Sequence, residues 1–280
     1  MGGTAYTLVL PVGAGTTSLP VVVLLHGYGT IDISPYRAWA EHLAQRGAIV
    51  IYPHYQLLVA TAVSDYVPNA VQGIKDALAR IASAGGVRAD TAKMIIIGHS
   101  LGGAVAANVA AVAGSSGIPQ PAALMTINPS NQSQNGMFVM PMEDLAQIPA
   151  TTLQLSLFSD ADQRIGDSIA KQIFNGTTNV PMANKDYIVV NSDSYGDTPL
   201  VADHFAALAS RDGLGSLYPP DALDYYGYWK LADALLLAAS DKTDTVDRDI
   251  AIGHGSAAQI YMGKWGDGMA VKTLTVTSTP

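Results

Sequence analysis

Short, uninterrupted apolar runs recur along this chain and constrain its fold more than any other feature. Val21–Leu25, Ala48–Tyr52 and Lys93–Ile97 each carry at least four apolar residues in a row. Such a run is typical of a strand buried on both faces, because a strand with one wet face alternates apolar and polar residues. The other predicted strands are Tyr6–Leu10 at a sheet edge, Ala122–Ile127, Leu153–Phe158 and Tyr187–Val190.

Segments with helical periodicity lie between these runs. In the first of them Ser34 is predicted to be the N-cap, Pro35 the first helical residue and Gly47 the C-terminal stop. Further helices are predicted over Pro68–Ser83, Leu101–Ala113, Gly166–Phe174 and Tyr228–Ala239. This alternation predicts an α/β fold, with a mostly parallel central sheet and helices on both faces.

Nothing in the sequence divides the 280 residues, since they contain no internal repeat, low-complexity tract or linker. We therefore predict a single domain over residues 1–280. The irregular stretch Asn128–Ala150 is too short to form a large cap domain. Residues 250–280 are expected to be an extension that packs on the domain as a helix and hairpin, or to form a dimer contact. The oligomeric state is left open.

Composition excludes several classes of function. The net charge is −8 without a basic stripe, which argues against nucleic acid as a partner. The absence of Cys excludes disulfides, thiolate metal sites and Cys nucleophiles. No paired-His spacing indicates zinc, and the acidic run at 241–249 lacks the ligand order of a calcium loop. The sequence thus indicates no metal and no cofactor.

Hydropathy gives no sign of a membrane segment. No stretch approaches the roughly 18 to 20 apolar residues that a membrane helix needs. The N-terminal residues lack Lys, Arg and a long apolar run, so they do not resemble a signal peptide. Low charge together with many Tyr, Thr, Ser and Asn is compatible with a secreted protein whose signal peptide has been removed.

The sequence Gly98-His99-Ser100-Leu101-Gly102 fits the pattern G-x-S-x-G and lies between a predicted strand and a predicted helix. A sharp turn at this place holds its central residue in strained backbone geometry, so the residues two positions away must lack side chains. The turn presents the Ser100 hydroxyl at a helix N-terminus, where developing negative charge is favoured. Ser100 is therefore predicted to be a nucleophile. The alternative is an inert serine in a Gly-rich turn.

The sequence HGYG at 26–29 directly follows the first buried run. A turn of this composition can aim a backbone N–H at the point that the N–H after the nucleophile also reaches. Two such donors stabilise the oxyanion of a tetrahedral intermediate. We predict an oxyanion hole formed by the backbone N–H groups of Tyr28 and Leu101, the alternative being a plain tight turn.

HGYG after one strand and GHSLGG after a later one resemble the α/β-hydrolase fold over roughly residues 20–240. Within that superfamily, LLHGYG, YPHYQ and IIIGHSLGG are similar to the chlorophyllase and dienelactone-hydrolase-like branch. The pair His204-Phe205 resembles the small cutinase-type polyester hydrolases. The resemblance implies a serine esterase whose catalytic triad has the chain order Ser, then Asp or Glu, then His.

The resemblance also implies where the acid of the triad lies. A carboxylate is expected just after the predicted strand Leu153–Phe158, three residues before an aliphatic anchor. Asp162, followed by Ile165, fits this pattern, and Asp160 is the competing residue. Either could instead be a loop-capping aspartate, which is a common role for Asp before a helix.

For the base, His204 ends the long loop after the last predicted strand and can reach Ser100 from there. His254 is its rival, because it also follows the acid in sequence. The remaining histidines are expected to have structural roles: His26 within the oxyanion turn, His42 on the solvent side of its helix, His54 near a strand end and His99 pointing away from Ser100.

Aromatic and methionine side chains are the candidate walls of a substrate pocket, namely Tyr28, Tyr55, Met137, Tyr195 and Phe205. The alternative is that some of them only pack in the core, which is the more common role of a methionine cluster such as the one that contains Met137. With the triad, they indicate a carboxylesterase that acts on small or medium apolar esters through an acyl-enzyme. The alternative is a cutinase-like, polyesterase-like or lipase-like hydrolase of polymeric or long-chain esters. A non-catalytic, ligand-binding member of the fold is the remote alternative.

Overall fold

The computed structural model describes residues 4–30, 32–57, 60–133, 136–209 and 218–280. The strands in these ranges are β1 (Tyr6–Val9), β2 (Ser18–Leu25), β3 (Ile49–Pro53), β4 (Arg88–His99), β5 (Ala123–Ile127), β6 (Leu153–Ser159), β7 (Lys185–Val190) and β8 (Thr275–Thr277). They form one sheet in the order β1-β3-β2-β4-β5-β6-β7-β8. Every strand predicted from an apolar run is present, with its ends moved by a few residues.

The sheet is parallel inside and antiparallel at its two edges. Strands β3, β2, β4, β5, β6 and β7 run parallel to one another. The edge strands β1 and β8 are antiparallel to β3 and β7. The carboxyl ends of all the parallel strands therefore lie at one end of the sheet, and the loops that follow β2, β4, β6 and β7 meet there.

Helices cover both faces of the sheet. They are α1 (Arg37–Gln45), α2 (Tyr66–Ser83), α3 (Leu101–Ser116), α4 (Ser168–Gly176), α5 (Lys230–Ser240), α6 (Thr245–Ala251) and α7 (Ala257–Ile260). Val22 and Leu24 of β2 point into the core shared with α1 and α5, whereas Val21 and Val23 point into the core shared with α2 and α3. This two-sided burial explains the unbroken apolar runs, and it confirms the predicted α/β architecture.

The start of the first helix differs from the prediction. Ser34–Tyr36 forms a 3-10 turn ahead of α1, and Ser34 makes no side-chain cap. The side chain of Asp32 caps this turn instead, because its Oδ1 accepts the Ser34 backbone N–H at 2.7 Å. Gly47 follows the helix with a φ of +94°, as expected of a C-terminal stop.

Residues 261–275, the C-terminal segment, pack beside β7 and lead into β8. Asn191 Nδ2, just after β7, donates to the Thr273 carbonyl at 2.8 Å. Asp193 Oδ2 accepts from Trp265 Nε1 at 3.1 Å and from the Lys272 backbone N–H at 2.8 Å. These contacts fasten the loop that follows β7. No helix in the described ranges is both long enough and apolar enough to cross a bilayer.

The chain before α5 carries a buried carboxyl group. Leu223–Trp229 forms a π-helix, and Asp224 within it is 2% exposed. Its Oδ2 accepts the Asp221 backbone N–H at 2.9 Å, whereas no group in the described residues pairs with its Oδ1. Burial, the main cause, raises the pKa of Asp224 from the ordinary 3.8 to about 8.

This raised pKa predicts how stability depends on pH. The folded state keeps a proton on Asp224 that the unfolded chain loses above about pH 4. The stabilisation present below that pH is therefore lost progressively up to about pH 8. Asp224→Asn should flatten this slope by about 1 kcal/mol per pH unit. Urea unfolding at pH 5, 6, 7 and 8 measures the effect, and parallel curves for the two proteins would contradict it.

Candidate active site

The turn between β4 and α3 has no room for side chains on either side of Ser100. A Cβ on Gly98 would lie 2.1 Å from the Gly102 carbonyl oxygen, and a Cβ on Gly102 would lie 2.2 Å from the Leu25 carbonyl oxygen. Ser100 itself has a φ of +56° and a ψ of −126°, a conformation that costs an L-residue energy. The glycines at 98 and 102 are thus required by the close approach of α3 to β4 and β2.

Ser100, His204 and Asp162 lie together at the carboxyl ends of the parallel strands. His204 Nε2 is 2.9 Å from Ser100 Oγ, and His204 Nδ1 is 2.7 Å from Asp162 Oδ2. All three side chains are buried. A carboxylate can only accept a hydrogen bond, so Nδ1–H donates to Asp162 and the unprotonated Nε2 is left to accept the hydrogen bond of the serine hydroxyl. Such a chain can deprotonate a serine.

The two rival residues lie elsewhere. Asp160 Oδ1 accepts from the Ser192 backbone N–H at 2.9 Å, so Asp160 anchors the loop after β7. His254 Nδ1 pairs with Asp186 Oδ1 at 2.7 Å. Asp186 is near the start of β7, so it lies at the amino ends of the parallel strands, whereas Ser100 lies at their carboxyl ends. Asp162 and His204, and not Asp160 and His254, are therefore the residues that hydrogen bonds connect to Ser100.

The HGYG turn lies against the nucleophile. A Cβ on Gly27 would be 3.4 Å from Ser100 Cβ, and the Gly29 backbone N–H donates to Gln56 Oε1 at 2.9 Å. Among the described residues, no group accepts the backbone N–H of Tyr28 or of Leu101. Both predicted oxyanion donors are therefore left for a ligand, and their role in binding one stays a prediction.

Histidines outside the triad fill structural positions. His26 is fully buried, stacks on Tyr55 with ring centroids 4.3 Å apart, and its Nδ1 contacts the Gly27 carbonyl at 2.9 Å. Burial lowers its pKa to about 4, so the ring is neutral near pH 7. The prediction for His42 is wrong. It is partly buried under the last long helix, where it bonds Asp233 Oδ2 at 2.9 Å and stacks on Trp229.

The candidate pocket walls divide between the site and other places. Phe205 packs beside His204, and the guanidinium of Arg164 lies over its ring at 4.6 Å. Tyr55 is not a wall, because it is fully buried and its hydroxyl donates to the His26 carbonyl at 2.6 Å. Tyr195 is exposed, and its hydroxyl donates to Asp267 Oδ2 at 2.7 Å, so it contacts the C-terminal segment.

One candidate wall is joined to the oxyanion turn through a neighbour. The Tyr28 ring lies 5.3 Å from that of Phe138, which in turn lies 5.9 Å from the Tyr66 ring. Met137, next to Phe138, is 69% exposed. An apolar surface therefore begins at Tyr28 and extends outward along the loop after β5.

A polar network that the sequence analysis missed lies behind the triad. Asn128, at the end of β5, has a φ of +43°. Its Nδ2 donates to Ser159 Oγ at 3.0 Å, and its Oδ1 accepts the Ser159 backbone N–H at 2.7 Å. Ser159 Oγ also bonds the Tyr228 hydroxyl at 2.9 Å. The one sequence signal was the Asn-Pro pair after a predicted strand, which marks a turn but no partner.

Metal ligands are not grouped in the described ranges, which hold no set of three or more His, Asp or Glu side chains able to share an ion.

The steric requirement at the turn gives a direct test. Gly102→Ala would place a Cβ on top of the Leu25 backbone, so α3 must move and stability should fall by about 1–3 kcal/mol or more. Gly86→Ala is the matched control, since a Cβ there would meet nothing within 4 Å. Thermal unfolding of the two variants should separate them clearly. Equal melting temperatures would contradict the tight packing at Gly102.

Comparison with known proteins relates the chain to a family. No curated protein sequence matches the chain. Among solved structures, the chain is similar to one from a structural analysis of two fungal esterases from Rhizomucor miehei and their substrate specificity. The two share 17% sequence identity and a TM-score of 0.57, over 84% of this chain and 78% of that one. This likeness supports the α/β-hydrolase fold and nothing finer.

The chlorophyllase family model matches residues 4–153, just over half of the chain. The match includes the HGYG turn and the turn around Ser100, and it ends before Asp162 and His204. This chain belongs to the chlorophyllase family.

Proposed function

We propose that this protein hydrolyses carboxylic esters through a covalent acyl-enzyme, with Ser100 as nucleophile. His204 is the general base, Asp162 orients it, and the backbone N–H groups of Tyr28 and Leu101 bind the oxyanion. The observation that carries the proposal is the hydrogen-bonded chain from Ser100 Oγ through His204 to Asp162, at 2.9 and 2.7 Å. Family and fold support an ester hydrolase of the α/β-hydrolase type.

Acylation follows from the direction of these hydrogen bonds. His204 Nε2 takes the proton from Ser100 as Oγ attacks the ester carbonyl carbon. The carbonyl oxygen becomes an oxyanion between the two backbone donors, and Asp162 stabilises the imidazolium that forms. When the intermediate collapses, the C–O bond of the ester breaks and the alcohol leaves with the proton from His204.

Deacylation repeats the sequence with water in place of the serine hydroxyl. His204 Nε2 takes a proton from a water molecule that attacks the acyl carbon. The second oxyanion occupies the same pair of donors, and its collapse releases the carboxylic acid. The proton returns to Ser100 Oγ, which restores the resting hydrogen bonds.

The substrate proposed first is a small or medium apolar ester. The rings of Tyr28 and Phe138 at the oxyanion turn and of Phe205 beside His204 support it, because apolar groups near the triad favour an apolar acyl or alcohol part. The second candidate is a polymeric or long-chain ester. The exposed side chains of Met137 and Val139, which are 69% and 61% exposed, favour it because they extend the apolar surface outward.

Hydrolysis of p-nitrophenyl esters with two to sixteen acyl carbons tests the chemistry. Ser100→Ala should lower kcat on the order of 10⁴- to 10⁶-fold, because the nucleophile is lost while the surrounding binding groups remain. Thermal unfolding of the variant controls for folding. The chain-length optimum separates the two substrate classes. Equal rates for wild type and Ser100→Ala would rule out Ser100 as the nucleophile.

Covalent labelling tests the serine without requiring the right ester. A fluorophosphonate should attach to the peptide that carries Ser100, because the reagent needs an activated serine but little substrate recognition. His204→Gln should slow labelling on the order of 10²- to 10⁴-fold, since the general base is lost. Mass spectrometry of digested protein gives both readings. Labelling at the same rate in His204→Gln would contradict the assigned base.

A further inference from the structure

His99, between Gly98 and Ser100, joins two parts of the site that are far apart in sequence. Its Nε2 is 2.8 Å from the His204 carbonyl oxygen, and its Nδ1 is 2.8 Å from the Tyr36 hydroxyl. The Tyr36 hydroxyl in turn accepts the Gly27 backbone N–H at 2.9 Å. The side chains of His99 and Tyr36 are 2% and 1% exposed, so water does not compete for these bonds.

The two ends of this chain fix the direction of every hydrogen bond in it. The backbone N–H of Gly27 can only donate, and the carbonyl oxygen of His204 can only accept. The Tyr36 hydroxyl therefore accepts from Gly27 and donates to His99 Nδ1, and the single proton of the His99 ring lies on Nε2. Burial, the main cause, lowers the pKa of His99 to about 3, which keeps the ring in this neutral form.

Each end of the chain adjoins a group that the proposed reaction uses. Gly27 precedes Tyr28, whose backbone N–H is one of the two oxyanion donors. His204 is the base, and its ring is already held by Ser100 and Asp162. The hydrogen bond from His99 Nε2 to the His204 carbonyl also fixes the backbone of His204. Catalysis is sensitive to displacements of about 1 Å between such groups.

Resting on the proposed function, we propose that His99 and Tyr36 are positioning residues that set the distance between the catalytic base and the oxyanion turn. They touch no reacting atom in this scheme. Without the hydrogen bonds of His99 and Tyr36, the His204 carbonyl and the Gly27 N–H each lose a buried partner. Both loops must then shift to satisfy these groups, and the base and the oxyanion donor move relative to each other.

Steady-state kinetics of Tyr36→Phe, His99→Leu and the double variant test the proposal. Each single variant should lower kcat roughly 10- to 100-fold with KM changed less than twofold, because the contacts that bind the substrate remain. The double variant should lose no more than the worse single variant, since either change already breaks the chain. His99→Gln should restore most of the lost kcat, because an amide can both accept and donate.

Tyr52→Phe is the matched control. It removes another buried tyrosine hydroxyl, one that donates to the Asp32 carbonyl at 2.9 Å and lies outside the chain. Its thermal stability should fall about as far as that of Tyr36→Phe, with kcat within twofold of wild type. If Tyr36→Phe and His99→Leu lower kcat no more than this control does, or if their effects multiply in the double variant, the positioning role is overturned.

The outcome with Ser100→Ala keeps this inference separate from the proposed function. If Ser100→Ala abolishes hydrolysis while Tyr36→Phe and His99→Leu have wild-type kinetics, only the positioning role fails. If Ser100→Ala is as active as wild type, the proposed function fails, and the positioning role of His99 and Tyr36 loses its basis. If His99→Leu does not fold, Tyr36→Phe decides alone, because it removes a single hydroxyl and leaves the rest of the side chain in place; a kcat no lower than that of Tyr52→Phe would then overturn the positioning role.

Discussion

The structure depends on the close approach of backbone to backbone at the turn around Ser100. Gly98 and Gly102 leave no space there, so β4, α3 and the end of β2 are locked together. The strained backbone of Ser100 is supported on both sides. Its N–H donates to the Ile127 carbonyl at 2.9 Å, and its carbonyl accepts the Ser130 N–H at 3.0 Å. Strain of about 1–3 kcal/mol persists only where neighbours over-determine the conformation, and this turn has such neighbours on three strands.

Around this rigid turn, the other groups of the site come from separate loops and need their own supports. His204 is 104 residues from Ser100, and Asp162 is 42 residues from His204. Asn128 and Ser159 join the ends of β5 and β6, and Asn128 Nδ2 also reaches the Asp203 carbonyl at 3.4 Å. The Arg164 backbone N–H donates to Asp162 Oδ1 at 3.0 Å, which orients the carboxyl group. Buried polar bonds, rather than apolar packing alone, therefore hold the three loops in register.

The features predictable from sequence were those with a local signature. Strands buried on both faces reveal themselves as apolar runs, and the turn at Ser100 reveals itself by glycines that sterics demand. Ser34 was misjudged because Asp32, two residues earlier, takes the capping role. Tyr55 and His42 were misjudged because their partners, His26 and Asp233, lie 29 and 191 residues away. β8 escaped prediction for the same reason, since its pairing with β7 depends on an edge that no local pattern describes. Asp162 and His204 needed the family resemblance as well as the residues.

The contacts of the C-terminal segment bear on the order in which the protein acquires its working form. Asn191 and Asp193 stand in the loop that ends at His204, and both are held by residues beyond 260. A growing chain can complete the turn at Ser100 and the HGYG turn long before those residues are synthesised. Asp160, Asn128 and His99 already hold the loop that presents the imidazole, but Asn191 and Asp193 gain their partners only when the C-terminal segment docks. The proposed ester hydrolysis would then reach its full rate only after this late docking step.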